Sequence, residues 1–162
     1  MDGGRLEGPR TGAPRPGDRR VTGFLLDTNV VSEAIKPEPD PRVTEFLRDR
    51  HDRVWLSVVV LYEMEYGVHL LPRGRRRLAV ATLIAGMVTN YENRILPLSR
   101  EAAQRAAMLR ARARRAGRPG QTADALIAGT AAANELVVAT RDTGDFAPFD
   151  VEVLNPWTGG GG

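Results

Sequence analysis

FLLDTNVVSE, residues 24–33, is the stretch that decides the fold of this 162-residue chain. Its first three residues form an apolar run without alternation, which is typical of a strand buried on both faces in a parallel sheet. Polar residues follow at once, beginning with Asp27. They therefore lie at the carboxyl end of the strand, where open α/β sheets bind their ligands. Asp27 is either a carboxylate held over that crevice or the cap of the next helix, and this stretch alone does not decide between the two.

Further apolar runs predict more strands of the same sheet. They are Val54–Leu56, Ile95–Leu98 and Leu136–Ala139, and Val151–Leu154 can add an edge strand. Segments whose apolar residues recur at helical spacing lie between several of these runs. The pattern indicates an α/β domain built on a mainly parallel sheet.

Small polar residues mark the starts of three predicted helices. Ser57, Ser99 and Thr122 precede helical segments and are predicted N-caps. The helix after Thr122 carries Asp124 in its first turn, where the helix dipole favours an ionised carboxylate. The helix after Ser57 carries Glu63 near the edge of its apolar face, and a solvated surface charge is the alternative for that residue.

Composition excludes several classes of site. The chain has no cysteine, so disulfides and thiolate chemistry are excluded. Its two histidines, His51 and His69, are far apart in the sequence, which argues against a histidine-rich zinc site. No apolar run approaches the ~20 residues of a membrane span, and a cytoplasmic protein with no membrane association is expected. The net charge is +3, of which +2 lies in residues 1–22, so the body is not a strongly basic nucleic-acid binder.

Three segments are predicted along the chain. Residues 1–22 are rich in Gly, Pro and Arg and poor in apolar side chains, which predicts a disordered tail, with a nucleic-acid-binding arm as the alternative. Residues 23–157 are predicted to form one domain, of a length that suits a single core. Residues 158–162 are mostly glycine and are also predicted to be disordered.

Four acidic residues are placed to meet at one edge of the sheet. Asp27 and Asp142 follow strands, Asp124 opens a helix, and Glu63 lies on the helix after another strand. Parallel packing brings the carboxyl ends of the strands together, so we expect these carboxylates to converge. Like charges so close raise each other's pKa, and a hard divalent cation such as Mg²⁺ or Mn²⁺ is the economical counter-ion. Such an ion can activate water for attack on a phosphodiester.

Four motifs, in their order and rough spacing, resemble the PIN-domain ribonucleases, in particular the VapC/FitB-like toxins of bacterial toxin–antitoxin pairs. They are FLLDTNVVSE, the Glu63–Gly67 step in YEMEYG, ADALIAGTA at 123–131 and VVATRDTGDF at 137–146. The resemblance covers about residues 23–157. It implies a PIN-like three-layer α/β/α sandwich around a central, mainly parallel sheet.

The resemblance also implies an active site that holds Mg²⁺ or Mn²⁺. Its catalytic and metal-binding acids would be Asp27, Glu63, Asp124 and Asp142. In many relatives the position of Asp142 is Asn and an acid at the position of Asp145 is retained, so Asp142 and Asp145 are alternatives for the fourth metal ligand. Hydrogen bonds that orient the carboxylates or bound water are expected from Thr28, Asn29 and Thr140.

The function that follows is a metal-dependent endoribonuclease, the toxin of a toxin–antitoxin pair, which hydrolyses RNA phosphodiester bonds with metal-activated water.

The segment PRGRRR, residues 72–77, is predicted to break the helical pattern before a helix at Leu78–Tyr91. Its arginines are candidates to bind the RNA backbone, with a solvated loop as the alternative; they are Arg73, Arg75, Arg76 and Arg77. The resemblance further implies a homodimer, and a cognate antitoxin that wraps the toxin to form a heterotetramer or a larger assembly.

Other functions compete with this one. A haloacid-dehalogenase-like phosphatase also begins with a strand ending in Asp, but it needs a second Asp where this chain has Asn29, and a lysine that Lys36, the single lysine, does not readily supply. A response-regulator receiver domain needs a lysine after a late strand, and the chain has none there. A PIN-like domain that only binds RNA or a partner, and a nuclease that cuts DNA, remain as alternatives.

Overall fold

The computed structural model describes residues 22–158 of the chain. The two tails predicted to be disordered, 1–22 and 158–162, lie outside this range except for Thr22 and Thr158, and that prediction stays open. No helix among the described residues is long and apolar enough to span a membrane.

A five-stranded parallel sheet forms the centre of the domain. The strands are β1 (Phe24–Leu26), β2 (Val54–Ser57), β3 (Ile95–Leu96), β4 (Val137–Ala139) and β5 (Val153–Leu154). Their order across the sheet is β3-β2-β1-β4-β5, and every neighbouring pair is parallel. The predicted parallel sheet is confirmed. Because the chain builds outward from β1 first on one side and then on the other, the strand order reverses at β1, which is where such sheets form a ligand crevice.

Within residues 22–158, seven α-helices flank the sheet. They are α1 (Thr28–Ala34), α2 (Pro41–Asp49), α3 (Val58–Leu70), α4 (Arg75–Asn90), α5 (Arg100–Arg115), α6 (Thr122–Ala133) and α7 (Thr143–Phe146). Short 3₁₀ turns lie at His51–Arg53, Glu92–Arg94, Ala147–Phe149 and Pro156–Thr158. A central sheet with helices around it confirms the predicted α/β/α architecture.

The predicted helix starts are confirmed at two of three positions. Ser57 Oγ accepts a hydrogen bond from the Val60 N–H at 3.2 Å, and Ser99 Oγ accepts one from the Ala102 N–H at 3.1 Å. Thr122 is not an N-cap, because it is already the first residue of α6 and the preceding residue takes the cap position without a side-chain bond.

Helix α4 begins earlier than the sequence pattern predicts. The predicted break over residues 72–77 ends at Gly74, whose φ of 153° favours glycine. Arg75, Arg76 and Arg77 then form the first turn of the helix, since arginine is a good helix former. The predicted loop at these three positions is therefore wrong.

Close packing between α5 and α6 depends on Gly129. A Cβ atom at this position would lie 2.5 Å from the Ala102 carbonyl oxygen and 2.6 Å from the Ala106 Cβ. The small residues of α6 thus let the two helices approach each other closely. This contact fixes α6, the helix that carries Asp124, against α5.

Candidate active site

An acidic cleft of about 440 Å³ opens at the carboxyl ends of β1 and β4. Six carboxylates line it, together with two cationic and three neutral polar side chains. The lining residues are Asp27, Thr28, Asn29, Ser32, Glu33, Lys36, Glu63, Asp124, Arg141, Asp142 and Asp145. The structure therefore brings the five acids singled out from the sequence into one cleft.

Asp27 combines the two roles that the sequence left as alternatives. Its Oδ1 accepts a hydrogen bond from the Thr28 N–H at 2.8 Å, so the side chain caps α1. Its Oδ2 accepts one from the Thr140 hydroxyl at 2.8 Å and lies over the crevice. Only 7% of the residue is exposed, and this burial raises the pKa of its carboxyl group, against the opposing effect of the two hydrogen bonds.

Thr140 and Asn29 join the end of β4 to the start of α1. The buried Thr140 hydroxyl accepts hydrogen bonds from the Asn29 Nδ2 group and from the Asp142 N–H, both at 3.1 Å. Asn29 Nδ2 also lies 3.1 Å from Asp27 Oδ2 and 3.0 Å from Asp142 Oδ2. The amide therefore bridges two carboxylates that would otherwise repel each other.

Glu63 points into the cleft from α3. Its Oε1 accepts a hydrogen bond of 2.7 Å from the Thr28 hydroxyl, and the residue is half-buried. A fully solvated surface charge, the alternative drawn from the sequence, does not describe this side chain. Thr28 thus contacts two acids of the cleft, Asp27 through its backbone and Glu63 through its hydroxyl.

Asp124 has a strongly perturbed carboxyl group. It lies in the first turn of α6 and is partly buried. Burial is the largest cause that raises its pKa, to about 6, followed by repulsion from Asp27 and then from Asp145. The group therefore gains and loses its proton close to neutral pH.

Asp142 and Asp145 occupy different places in the cleft. Asp142 lies just before α7, and its carboxylate is held by the Asn29 amide at 3.0 Å. Asp145 is in the first turn of α7, and its N–H donates to the Asp142 carbonyl oxygen at 3.0 Å. Asp145 raises the pKa of Asp124 more than Asp142 does. Both acids therefore remain available as ligands, and the charge of Asp145 has the larger effect on Asp124.

The chemistry of the donors decides which ion fits. The carboxylates of the cleft offer hard oxygen donors, which suit Mg²⁺ or Mn²⁺. Among residues 22–158, no three Asp, Glu or His side chains are grouped tightly enough to enclose a metal ion by themselves. Mg²⁺ is usually held by one or two carboxylates and several waters, so the donor set fits a partly hydrated ion and not a closed carboxylate cage.

Sequence reasoning missed three charged residues of the cleft. Glu33 is buried and accepts hydrogen bonds from the Lys36 ammonium group and from the Asp40 N–H. The Lys36 hydrogen bond is the main cause that lowers the pKa of Glu33. The i, i+3 spacing of this pair was the available signal, but it gave no indication that the pair faces the cleft. The third residue, Arg141, lies between Thr140 and Asp142 at the rim.

The arginines proposed to bind RNA do not line the cleft. Arg73 is exposed in the loop before α4, and Arg75 and Arg76 are exposed in its first turn. Arg77 lies 2.9 Å from His69 through its Nη2 and the histidine Nδ1. The positive charges of Arg75, Arg76 and Arg77 lie at the N-terminus of α4, where the helix dipole is unfavourable for cations.

Comparison with known proteins matches residues 24–151 to the family model of the PIN domain. The chain is 39% identical to toxin FitB of Neisseria gonorrhoeae over 136 residues, which cover 83% of this chain and 98% of that protein. It is 36% identical to VapC ribonuclease Y4jK of Sinorhizobium fredii, over 83% of this chain and 97% of that protein. The crystal structure of FitAcB from Neisseria gonorrhoeae superposes with a TM-score of 0.76 and 38% identity, over 83% of this chain and 98% of that one.

Proposed function

The chain belongs to the PIN-domain family, and from this premise we propose that it is a Mg²⁺- or Mn²⁺-dependent endoribonuclease, the toxin of a toxin–antitoxin pair. The observation that carries the proposal is the convergence of five carboxylates in one cleft, with the pKa of Asp124 raised to about 6. Relatives named as ribonucleases support it, among them VapC ribonuclease Y4jK and the tRNA(fMet)-specific endonuclease VapC of Shigella flexneri, which is 33% identical over 123 residues. RNA is accordingly the proposed substrate, and the cytoplasm the proposed location.

The proposed ion would be held by Asp27 and Asp124, with Glu63 and either Asp142 or Asp145. When bound, it supplies a Lewis acid that lowers the pKa of water and offsets the charge that develops on the phosphate. The residues in contact with these acids fix their orientation. Thr28 and Thr140 hold the two oxygens of Asp27, and Asn29 holds Asp142.

The reaction proposed is hydrolysis of a phosphodiester bond. The oxygen of water bonds to phosphorus and gives up a proton, the bond from phosphorus to the departing sugar oxygen breaks, and that oxygen takes up a proton. Neither His51 nor His69 lines the cleft, so no imidazole is placed to act as the base. A cation beside Asp124 would favour the ionised form of its carboxylate, so this side chain is assigned to holding the ion and not to proton transfer.

A cognate antitoxin and a second copy of the chain are the proposed partners. The similar structures include FitAB bound to a DNA fragment and FitAcB, both at 38% identity. Large apolar side chains are exposed on α3 and α4; they include Tyr62, Tyr66, Leu70 and Leu78, each more than half exposed. Such a surface is typical of a protein interface. We propose an assembly of two toxin chains with two or more antitoxin chains.

Cleavage of RNA by the purified, antitoxin-free protein tests the proposal. A mixed RNA pool is incubated with Mg²⁺, Mn²⁺ or EDTA, beside the variants Asp27→Asn and Asp124→Asn and the matched control Asp52→Asn. Asp52 is exposed in the 3₁₀ turn before β2, at the amino ends of the strands, whereas the cleft lies at their carboxyl ends. Cleavage that requires the ion, survives in the control and disappears in both site variants is the expected result.

Two outcomes would contradict the proposal. Folded protein that cleaves no RNA under any of these conditions would indicate a domain that only binds RNA or a partner. Cleavage of a DNA pool but not of RNA would indicate a nuclease directed at DNA. Circular dichroism of each variant shows whether a loss of activity reflects unfolding.

A further inference from the structure

Arg141 differs from Lys36, the other cation of the cleft, in having no ion-pair partner among residues 22–158. Six carboxylates and two cations line the cleft. The other cation, Lys36, forms an ion pair with Glu33. Within residues 22–158, by contrast, Arg141 forms no ion pair with any Asp or Glu. No described carboxylate is therefore paired directly with its guanidinium group, although six carboxylates line the same cleft.

The aromatic ring of Trp157 holds the Arg141 side chain at the rim. The guanidinium carbon lies 5.2 Å from the ring centroid, a distance typical of a cation–π contact. Trp157 itself is fixed, because it is only 9% exposed and its backbone N–H donates to Asn155 Oδ1 at 2.9 Å. The guanidinium is thus kept from collapsing onto the carboxylates below it.

The backbone of Arg141 is held from both sides of the cleft. Its N–H donates to Asn29 Oδ1 at 3.3 Å, and its carbonyl oxygen accepts from Asn155 Nδ2 at 3.4 Å. Its neighbours in the chain, Thr140 and Asp142, contact the carboxylate of Asp27 and the amide of Asn29. Any group bound by Arg141 therefore lies beside the acids of the proposed active site.

We propose that Arg141 binds the phosphate of the bond that is cleaved. The inference rests on the proposed nuclease function. It identifies the cation that binds the negatively charged substrate in a cleft lined by carboxylates. The contact with Trp157 covers one face of the guanidinium, and its N–H groups, which make no hydrogen bond within residues 22–158, remain at the edge. Those groups form a planar fork that matches two phosphate oxygens, and arginine keeps its charge at any working pH.

RNA binding under conditions without cleavage tests this assignment. Asp124→Asn protein is titrated with a fluorescent single-stranded RNA in Mg²⁺, at salt concentrations from 50 to 200 mM, with and without Arg141→Gln. The substitution is expected to weaken binding by about tenfold and to reduce the slope of log affinity against log salt by about 0.7, the effect of one lost phosphate contact on a single strand. Arg141→Lys should keep the slope, because the charge remains, but should bind less tightly because the fork is lost.

Arg53→Gln is the matched control. Arg53 is an exposed arginine just before β2, at the amino ends of the strands and away from the cleft. It should leave both affinity and slope unchanged. A general loss of positive charge would affect the two arginine variants equally, so a difference between them isolates the position of Arg141.

Cleavage assays separate this inference from the function on which it rests. In the wild-type background, Arg141→Gln should reduce kcat/KM at least tenfold while Arg53→Gln does not. Wild-type protein that cleaves RNA, beside an Arg141→Gln variant with the same kcat/KM, affinity and salt slope, would overturn the role of Arg141 and leave the nuclease function intact. Wild-type protein that cleaves no RNA would overturn the proposed function, and the assignment of Arg141 to a cleaved bond with it.

Discussion

Removing the charge of Asp124 should make the metal-free protein more stable at neutral pH. The pKa of this carboxyl group is raised from 3.8 to about 6, first by burial and then by repulsion from Asp27 and Asp145. A folded-state pKa above the unfolded value means that folding takes up a proton between these two pH values. The stability contributed is complete below pH 3.8 and is lost as the pH rises through about 6.

The size of the effect follows from the shift. The rise in the pKa of Asp124 from 3.8 to about 6 corresponds to about 3 kcal/mol of unfolding free energy. Asp124 is partly exposed, and screening by solvent reduces this figure to about 1–1.5 kcal/mol. Asp124→Asn should therefore be more stable than wild type by about that amount at pH 7.5 in EDTA, with a Tm higher by about 3–6 °C. Near pH 4 the difference should shrink to a few tenths of a kcal/mol, by the same linkage.

Urea denaturation followed by far-ultraviolet circular dichroism measures this difference at pH 4, 6 and 7.5. Asp52→Asn, which removes an exposed carboxylate at the amino ends of the strands, should change stability by less than about 0.5 kcal/mol at each pH. An Asp124→Asn variant that is less stable than wild type at pH 7.5, or a difference that does not change with pH, would refute the claim that repulsion and burial strain this site.

Other changes test the network, the packing and the ion. Thr140→Val removes the hydroxyl that donates to Asp27 and should lower the unfolding free energy by about 1–3 kcal/mol, whereas Thr140→Ser should not; equal stability in urea would contradict this. Gly129→Ala places a Cβ 2.5 Å from the Ala102 carbonyl oxygen and should cost about 1–3 kcal/mol, while Gly86→Ala on α4, where a Cβ meets no atom within 4 Å, should be neutral or stabilising by up to about 1 kcal/mol. Mg²⁺ at about 100 times its Kd should stabilise the wild type by about 2.7 kcal/mol and Asp27→Asn much less, and an equal shift in both would exclude Asp27 as a ligand.

The parts of the fold that depend on neighbouring residues along the chain could be predicted. An apolar run that ends in Asp27 gives a buried strand and the position of the cleft. Ser57 and Ser99 give helix starts, because a small hydroxyl before an apolar periodic segment satisfies a free backbone N–H. Asp124 could be placed in the first turn of α6 even though the cap itself was assigned one residue too late.

Features that depend on tertiary contacts could not be predicted. The sequence PRGRRR contains Pro and Gly and reads as a break, but only one strained glycine is needed for the chain to turn, and the arginines continue into α4. The Glu33–Lys36 pair gave no sign that α1 ends beside the cleft. Arg141 stood out only once its distance to Trp157, which follows it by 16 positions, was known.

The sheet ends in a two-residue strand on each side, β3 on one and β5 on the other. Each outer strand therefore leaves very few backbone N–H and C=O groups without a partner, and a long, flat edge is what a strand of another chain needs to extend a sheet. Fibre-like growth by strand addition is disfavoured as a result. For the part of the chain that the structure describes, we therefore expect copies to associate through helical surfaces and not by extending the sheet.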